Sequence, residues 1–299
     1  LPLSPFYAES GGQVGDIGVI EAGKNRFIVK DTQKHLDAIL HLGFVEEGEF
    51  EVGDDVTASV SEVRKNTKAN HSATHLLHAA LRRILGDHVQ QKGSLVDDKK
   101  LRFDFSHNQA VTEKQIKEIE LLVNKEIRKN IPTEIIQCSL DHAKHLGALA
   151  LFGEKYGDQV RVLRFGDFST ELCGGTHVDR TGDIGFFTII SEAACASGIR
   201  RIEALTGDLA VAYVSDAKDL VGWLSSTFKV DRLHIAERIN QTMIQQQQTS
   251  KKVDILNERI AHYQAKSLRE SSVLIGDIHV VTALIPNSNR ASLRVILDD

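Results

Sequence analysis

At 299 residues the chain is long enough for about two domains of roughly 150 residues each. With 41% hydrophobic and 26% charged residues it can bury an ordinary core, which excludes global disorder. Its formal net charge of −5 excludes a generally basic nucleic-acid binder, so any nucleic-acid contact has to come from local basic clusters. Three cysteines (Cys138, Cys173 and Cys195), odd in number and far apart, argue against a disulfide framework and for a reducing, cytoplasmic setting. No apolar run approaches about 18 residues, so no membrane span is expected. The chain starts Leu-Pro-Leu-Ser-Pro, without methionine or a targeting pattern, and ends at Leu297-Asp298-Asp299; it reads as a piece of a longer protein.

The first elements are strands. Short β-prone runs at Gly18–Ile20, Phe27–Val29, Ala38–Leu42 and Val56–Val60 alternate with turn signals at Gly11-Gly12, Gly15-Asp16, Gly23-Lys24-Asn25 and Gly53-Asp54. Residues 1–64 fit a small β-barrel. From Asn66 the period becomes helical: Leu76, Leu77, Ala80, Leu81 and Ile84 share a face, and Gly86 supplies a stop. A second helix spans Thr112 to Lys129, capped by Thr112, with Ile116, Ile119, Leu122, Val123 and Ile127 as its stripe and Pro132 following. Strand-like runs at 101–105, 133–137, 160–165, 185–191 and 200–205 complete an α+β domain over residues 65–207. Residues 208–271 read as a helical segment, in which Ile235, Ile239, Thr242, Gln246, Thr249, Val253, Leu256, Ile260 and Tyr263 follow the 4-3 spacing of a coiled-coil seam. The polar centre at Gln245–Gln248 favours an intramolecular hairpin or a weak coil over a strong dimer. Residues 272–299 read as the start of another domain, with a strand at Ile278–Leu284 and a helix at Ala291–Leu297.

Two motifs carry chemistry. His71-Ser-Ala-Thr-His75 places two imidazoles on one helix face, within reach of a single ion. In Cys173-Gly-Gly-Thr-His177 a thiol and an imidazole flank a glycine pair that lets the loop turn both toward one point. Each half alone is as readily a polar surface pair or an ordinary turn. Together they offer three nitrogens and one sulfur, a set suited to tetrahedral zinc. Four protein ligands are usual for a closed structural site, because catalytic zinc keeps a position open for water. Either one ligand is loosely held, or zinc expands its coordination or orients substrate while a nearby group holds the water.

The runs Asn70-His-Ser-Ala-Thr-His-Leu-Leu-His-Ala-Ala-Leu, Gln91-Lys-Gly-Ser and Leu101-Arg-Phe-Asp-Phe-Ser closely resemble the editing domain of alanyl-tRNA synthetases of the bacterial type. So do Leu151-Phe-Gly-Glu-Lys-Tyr, Phe168-Ser-Thr-Glu-Leu-Cys-Gly-Gly-Thr-His and Gly198-Ile-Arg-Arg-Ile-Glu-Ala-Leu-Thr-Gly. The opening Pro5-Phe-Tyr-Ala-Glu-Ser-Gly-Gly-Gln-Val-Gly-Asp is similar to the barrel that precedes that domain. The resemblance is dense over residues 1–207 and one of character only beyond. It implies an aminoacyl-tRNA deacylase that cleaves Ser-tRNA(Ala) and Gly-tRNA(Ala), with His71, His75, Cys173 and His177 as zinc ligands. It implies that Gln91 contacts the rejected amino acid; the competing reading is a surface glutamine before the Lys92-Gly93 turn. His78 is read as a core or supporting histidine rather than a fifth ligand, and Thr74 and Thr176 as hydroxyls available to water or substrate. Alanine attachment, with its ATP and Mg2+, is expected in a catalytic core absent from these residues, and the parent enzyme as a possible homo-oligomer through its C-terminal region. The need for editing has a physical basis: a pocket built for alanine cannot exclude glycine sterically and discriminates only modestly against an added hydroxyl.

For tRNA(Ala), the candidate contacts are Arg82, Arg83, Lys92 and Arg102, among basic residues around the metal helix that include Arg64, Lys65, Lys68, Lys99 and Lys100. Arg200 and Arg201 stand within an apolar strand, where arginines need anionic partners. Three alternatives share the motifs: a free-standing trans-editing protein, the related threonyl-tRNA synthetase editing domain, and a structural zinc module that only binds tRNA. The preceding barrel, the Cys-Gly-Gly-Thr-His loop and the following coil favour the alanyl type.

Overall fold

The computed structural model describes residues 1, 3–36, 38–149, 157–286 and 290–298; the run Leu151-Phe-Gly-Glu-Lys-Tyr lies outside the described residues. Leu1–Ser215 forms one compact unit and Asp216–Asp299 another. The chain is mixed α+β, with several small antiparallel sheets and six α-helices among the described residues.

The first unit opens with a sheet in the order β3-β2-β1-β4, built from β1 (Gly18–Ala22), β2 (Asn25–His35), β3 (Ala38–Glu47) and β4 (Thr57–Val60). Phe6, Ile20 and Val29 are buried on it, with Phe27, Phe50, Val56, Ala58 and Val60 packed around them. Where the sequence reads as a closed barrel, the pairings among the described residues leave β3 and β4 as edges. The reason lies in β3, which is exposed along almost its whole length, with Ile39, Leu40, Leu42 and Phe44 turned to solvent. It therefore has no buried face with which to wrap a core.

The segment before β1 is stitched to the next sheet. The Val14 amide donates to the Val96 carbonyl (3.0 Å) and the Val96 amide to the Gly12 carbonyl (2.7 Å), so residues 12–14 lie as a short parallel strand along β5 (Gln91–Val96). Only glycine fits at position 12, because a Cβ there would sit 2.4 Å from the Ser94 carbonyl oxygen. The Arg64 guanidinium meets the buried Asp16 carboxylate, tying the same segment to the start of α1 (Arg64–Leu85).

Helix α1 is buried nearly all round from Thr67 to Leu81, rather than along one stripe. Ala73, Leu76, Leu77, Ala80 and Leu81 are fully buried, each leucine worth about 1.5–3 kcal/mol of burial. The polar residues of the same helix are buried with partners. Asn70 donates to the Asp97 carbonyl and accepts from Thr206 Oγ1, and Thr74 Oγ1 donates to the Asn70 carbonyl. α1 packs against α2 (Glu113–Arg128), whose cap Thr112 exchanges hydrogen bonds with Gln115, and against the antiparallel sheet β10-β11-β6-β5. In that sheet β6 (Leu101–Ser106) pairs Leu101 with Ala204 and Phe105 with Arg200 of β11 (Ile199–Thr206), beside β10 (Phe187–Ala196). Phe103, Phe105, Phe187, Leu101 and Ile202 fill the core between helix and sheet. A third sheet, β7 (Thr133–Ser139), β8 (Gln159–Phe165) and β9 (Ser169–Leu172), delivers the chain to the Cys173 loop.

Two further helices follow in chain order, α3 (Leu140–His145) after β7 and α4 (Gly207–Phe228) after β11. In the second unit α5 (Ile235–Glu270) is one uninterrupted helix, and α6 (Arg290–Asp298) packs against it. Ile235, Ala261 and Ala265 are its buried residues, whereas Val253, Leu256, Ile260 and Tyr263 of the expected seam are exposed. β12 (Val273–Ile275) and β13 (Ile278–Val280) form a hairpin around Gly276. Among the described residues no helix is long and apolar enough to cross a membrane.

Candidate metal centre

The i, i+4 spacing on α1 stacks the His71 and His75 rings with centroids 5.3 Å apart. β9 ends at Leu172, and the loop after it carries Cys173 and His177 onto the same spot, the His177 ring lying 4.4 Å from that of His71 and 5.1 Å from that of His75. Cys173 Sγ is 3.6 Å from His71 Nε2 and 3.2 Å from His177 Nε2. One donor atom from each of the four residues lies within 4.8 Å of all the others. A tetrahedral zinc ion with Zn–N of about 2.05 Å and Zn–S of about 2.3 Å separates its ligand atoms by about 3.3–3.6 Å. The donor set fits that ion in chemistry, and the two distances from Cys173 Sγ, 3.6 and 3.2 Å, are close to that spacing. Within the donor set His75 Nε2 is buried and has no hydrogen-bond partner, a condition it shares with His78 Nε2 outside the set.

The opposite edge of each imidazole is held. His75 Nδ1 is 2.8 Å from Glu171 Oε2, His71 Nδ1 is 2.7 Å from Gln13 Oε1, and His177 Nδ1 is 3.2 Å from Ser72 Oγ. An ionised carboxylate only accepts, so His75 donates from Nδ1, which leaves Nε2 as the atom that would bind an ion. Gly175 makes the close approach possible, because a Cβ there would lie 2.1 Å from His71 Cε1.

Burial alone would push the His75 imidazole down, but the Glu171 carboxylate and the Cys173 sulfur outweigh it and raise His75 to about 10. Burial likewise works against the Cys173 thiolate, yet His75 and His71 hold the thiol well below its ordinary value. Burial and the neighbouring His71 push His177 down to about 3. Glu171 is also held low, its burial overcome by His75 and His78. The metal-free cluster is thus a buried thiolate and carboxylate around a protonated His75, whose Nε2 proton a dication would displace.

Around the cluster opens a cavity of about 300 Å3, lined by His71, His75 and Cys173 together with Thr74, Gln91, Ser94, Arg161 and Tyr7. Of the residues singled out in the sequence, Gln91 and Thr74 stand on its wall. Thr176 does not line it; its hydroxyl accepts from Gln13 Nε2 at 2.8 Å. His78 is apart from the four donors, with Nδ1 3.2 Å from Glu171 Oε1 and its ring 5.3 Å from that of Phe103.

The basic candidates stand elsewhere. Arg82 donates to the Asp87 and Val89 carbonyls and the Asp87 carboxylate, and Arg83 lies over the Phe168 ring at 3.8 Å. Lys92 Nζ reaches Gln90 Oε1 at 3.3 Å, and Arg102 Nε is 3.9 Å from Asp104. Arg201 makes a two-point contact with Asp104 (2.7 and 2.9 Å), and Arg200 with Glu192 (2.5 Å each). The anionic partners of these two strand arginines are therefore carboxylates of the same sheet. The sequence reading missed Glu171, Gln13, Ser72 and Arg161. Glu171 had a faint signal, an acid two residues before Cys173 on a strand, hence on the same face.

Residues 160–203 match the Threonyl and Alanyl tRNA synthetase second additional domain, and residues 1–64 match tRNA synthetases class II (A). The chain is 48% identical over 298 residues to the alanine--tRNA ligase of Coxiella burnetii strain Dugway 5J108-111, and to the same degree to that of strain RSA 331 / Henzerling II. The match covers 100% of this chain and 34% of each relative, so the chain spans about a third of the length of the curated relatives it matches. With its whole length matched in this way, the chain belongs to the alanyl-tRNA synthetase family.

Proposed function

We propose that the chain carries the editing activity of an alanine-tRNA ligase, hydrolysing the ester of Ser-tRNA(Ala) and Gly-tRNA(Ala) at a zinc centre held by His71, His75, Cys173 and His177. The observation that supports this reading is the convergence of the four donors at one point, with three of them, His71, His75 and Cys173, on the wall of a cavity. Zinc, when bound, supplies a fixed positive charge and Lewis acidity beside the ester. An aminoacyl ester is already an activated carbonyl, so the remaining work is placement. Gln91 and Thr74, by their place on the cavity wall, suit contacts to the amino acid that alanine does not need. Arg161 Nη1 donates to the Cys173 and Gly175 carbonyls, keeping the loop in shape while its charge borders the cavity. Alanine attachment with ATP and Mg2+ is assigned to the part of the relatives that this chain does not match, and tRNA(Ala) binding, cytoplasmic location and self-association are further parts of the same reading.

The test is deacylation of Ser-tRNA(Ala), Gly-tRNA(Ala) and Ala-tRNA(Ala) by the purified, zinc-loaded chain. Cleavage of the first two with Ala-tRNA(Ala) spared is the expected result, and Cys173→Ala abolishes it. Four protein donors also suit a purely structural ion. That second reading gains if Cys173→Ala still cleaves Ser-tRNA(Ala) while its melting temperature collapses.

A further inference from the structure

We propose that Gln13, from the segment preceding the first sheet, is a positioning residue of the metal centre: it fixes the ring tautomer of His71 and ties together the two halves of the donor set. The proposal rests on the zinc reading above.

Gln13 is fully buried, and its amide makes three contacts. The Thr176 backbone N–H donates to Oε1 at 2.8 Å, Oε1 lies 2.7 Å from His71 Nδ1, and Nε2 donates to Thr176 Oγ1 at 2.8 Å. The backbone amide settles the orientation of the side chain, because a main-chain N–H can only donate and the atom facing it has to be the oxygen. That same oxygen can only accept from His71, so Nδ1 of His71 carries the proton. The lone pair of His71 is thereby placed on Nε2, the atom that faces Cys173 Sγ. One amide thus reaches α1, which holds His71 and His75, and the loop between Cys173 and His177. Its own place is fixed by the Gly12–Val14 ladder to Val96. The region matched to tRNA synthetases class II (A) therefore completes a centre whose cysteine and third histidine lie in the region matched to the second additional domain.

Two substitutions separate this role from packing. Gln13→Met keeps the volume and removes the acceptor, whereas Gln13→Glu keeps an acceptor oxygen at the same reach. Zinc affinity is measured by competition with a chelator on the full chain, and the His71 tautomer by 15N shifts of its ring in the metal-free chain. Removal of a partner that orients a metal ligand weakens binding about 10- to 100-fold, the expected loss for Gln13→Met, while Gln13→Glu stays within about threefold of the parent. The Nδ1–H tautomer dominates in the parent and in Gln13→Glu and is lost in Gln13→Met. Parent-like affinity and tautomer in Gln13→Met, or an equal loss in both variants, overturns the proposal. If Gln13→Met does not fold, Gln13→Glu decides: retained affinity supports the role and a tenfold loss refutes it. A parent chain that binds no zinc refutes the metal reading alone, since the tautomer of the metal-free chain still decides what Gln13 does.

Discussion

The substitution Gly175→Ala adds a single methyl group between the Cys173 loop and α1, and its consequences follow from the close approach there. The added Cβ would lie 2.1 Å from His71 Cε1, 2.5 Å from His71 Nδ1 and 2.8 Å from Gln13 Oε1. Carbon atoms pack no closer than about 3.5 Å, so His71 or the loop has to yield by about 1.4 Å. Metal–ligand distances tolerate only about 0.2 Å, so the shift falls on the donor set. Overpacking of this kind costs about 1–3 kcal/mol. Set against the metal-bound form, that is a loss of about 5- to 150-fold in zinc affinity. Gly174→Ala is the matched control, because a Cβ there meets nothing within 4 Å. Chelator competition and thermal melting of both variants give the comparison. Parent-like zinc affinity in Gly175→Ala, or an equal loss in Gly174→Ala, refutes the reasoning.

Glu171→Gln removes the carboxylate that accepts from both His75 and His78, and zinc affinity measured by competition drops about 10- to 100-fold. The metal-free chain has a defined pH response. The unfolded His177 takes up a proton near pH 6.5 while the folded one resists it down to about 3, so stability falls as pH drops below about 6.5; the depressed Cys173, ionised in the fold and protonated when unfolded, adds to the fall. Above about pH 6.5, His75, raised to about 10, loses stability with rising pH, whereas the depressed Cys173 gains it until the unfolded thiol ionises. The two offset, so the melting temperature of chelator-treated protein climbs from pH 5 to about 6.5 and levels off up to about pH 8.5; a fall between pH 5 and 6.5 contradicts this. Arg201→Gln breaks the pair with Asp104 and lowers the melting temperature only slightly, the pair being partly exposed, while the salt dependence of tRNA binding is unchanged. A shallower salt slope means that Arg201 also contacts phosphate. Saturating zinc at about 100 times its dissociation constant raises stability by about 2.7 kcal/mol over the metal-free chain, read as a shift in melting temperature.

What the sequence revealed follows the range of each signal. The i, i+4 histidines and the glycine-flanked Cys173–His177 loop are local patterns, and local patterns survive in a linear reading. The Thr112 cap, with Gln115 three residues on, is legible for the same reason. Gln13 was invisible as a partner because it meets Thr176 across 163 residues and His71 across 58. Glu171 was passed over because a lone acid on a strand reads as solvent-facing, and only the fold brings two histidines to it. The arginines of β11 were read as tRNA contacts because arginines in an apolar strand need anions; Asp104 and Glu192, which pair with them, lie on neighbouring strands that periodicity cannot align. The barrel expectation rested on β-prone runs and turn signals, which do not report how far each strand is buried, and β3 is exposed along almost its whole length. On α5 the 4-3 spacing describes the pattern of residues without supplying the surface that would cover them.

The central claim is that these four side chains hold zinc for ester hydrolysis, and a titration tests it most directly. Zinc is added back to chelator-treated chain while Ser-tRNA(Ala) deacylation is followed. The account predicts an activity that rises with zinc and saturates at one equivalent per chain, and that does not return in His75→Ala. Full deacylation by the metal-free chain, or a rise with zinc that survives His75→Ala unchanged, contradicts it.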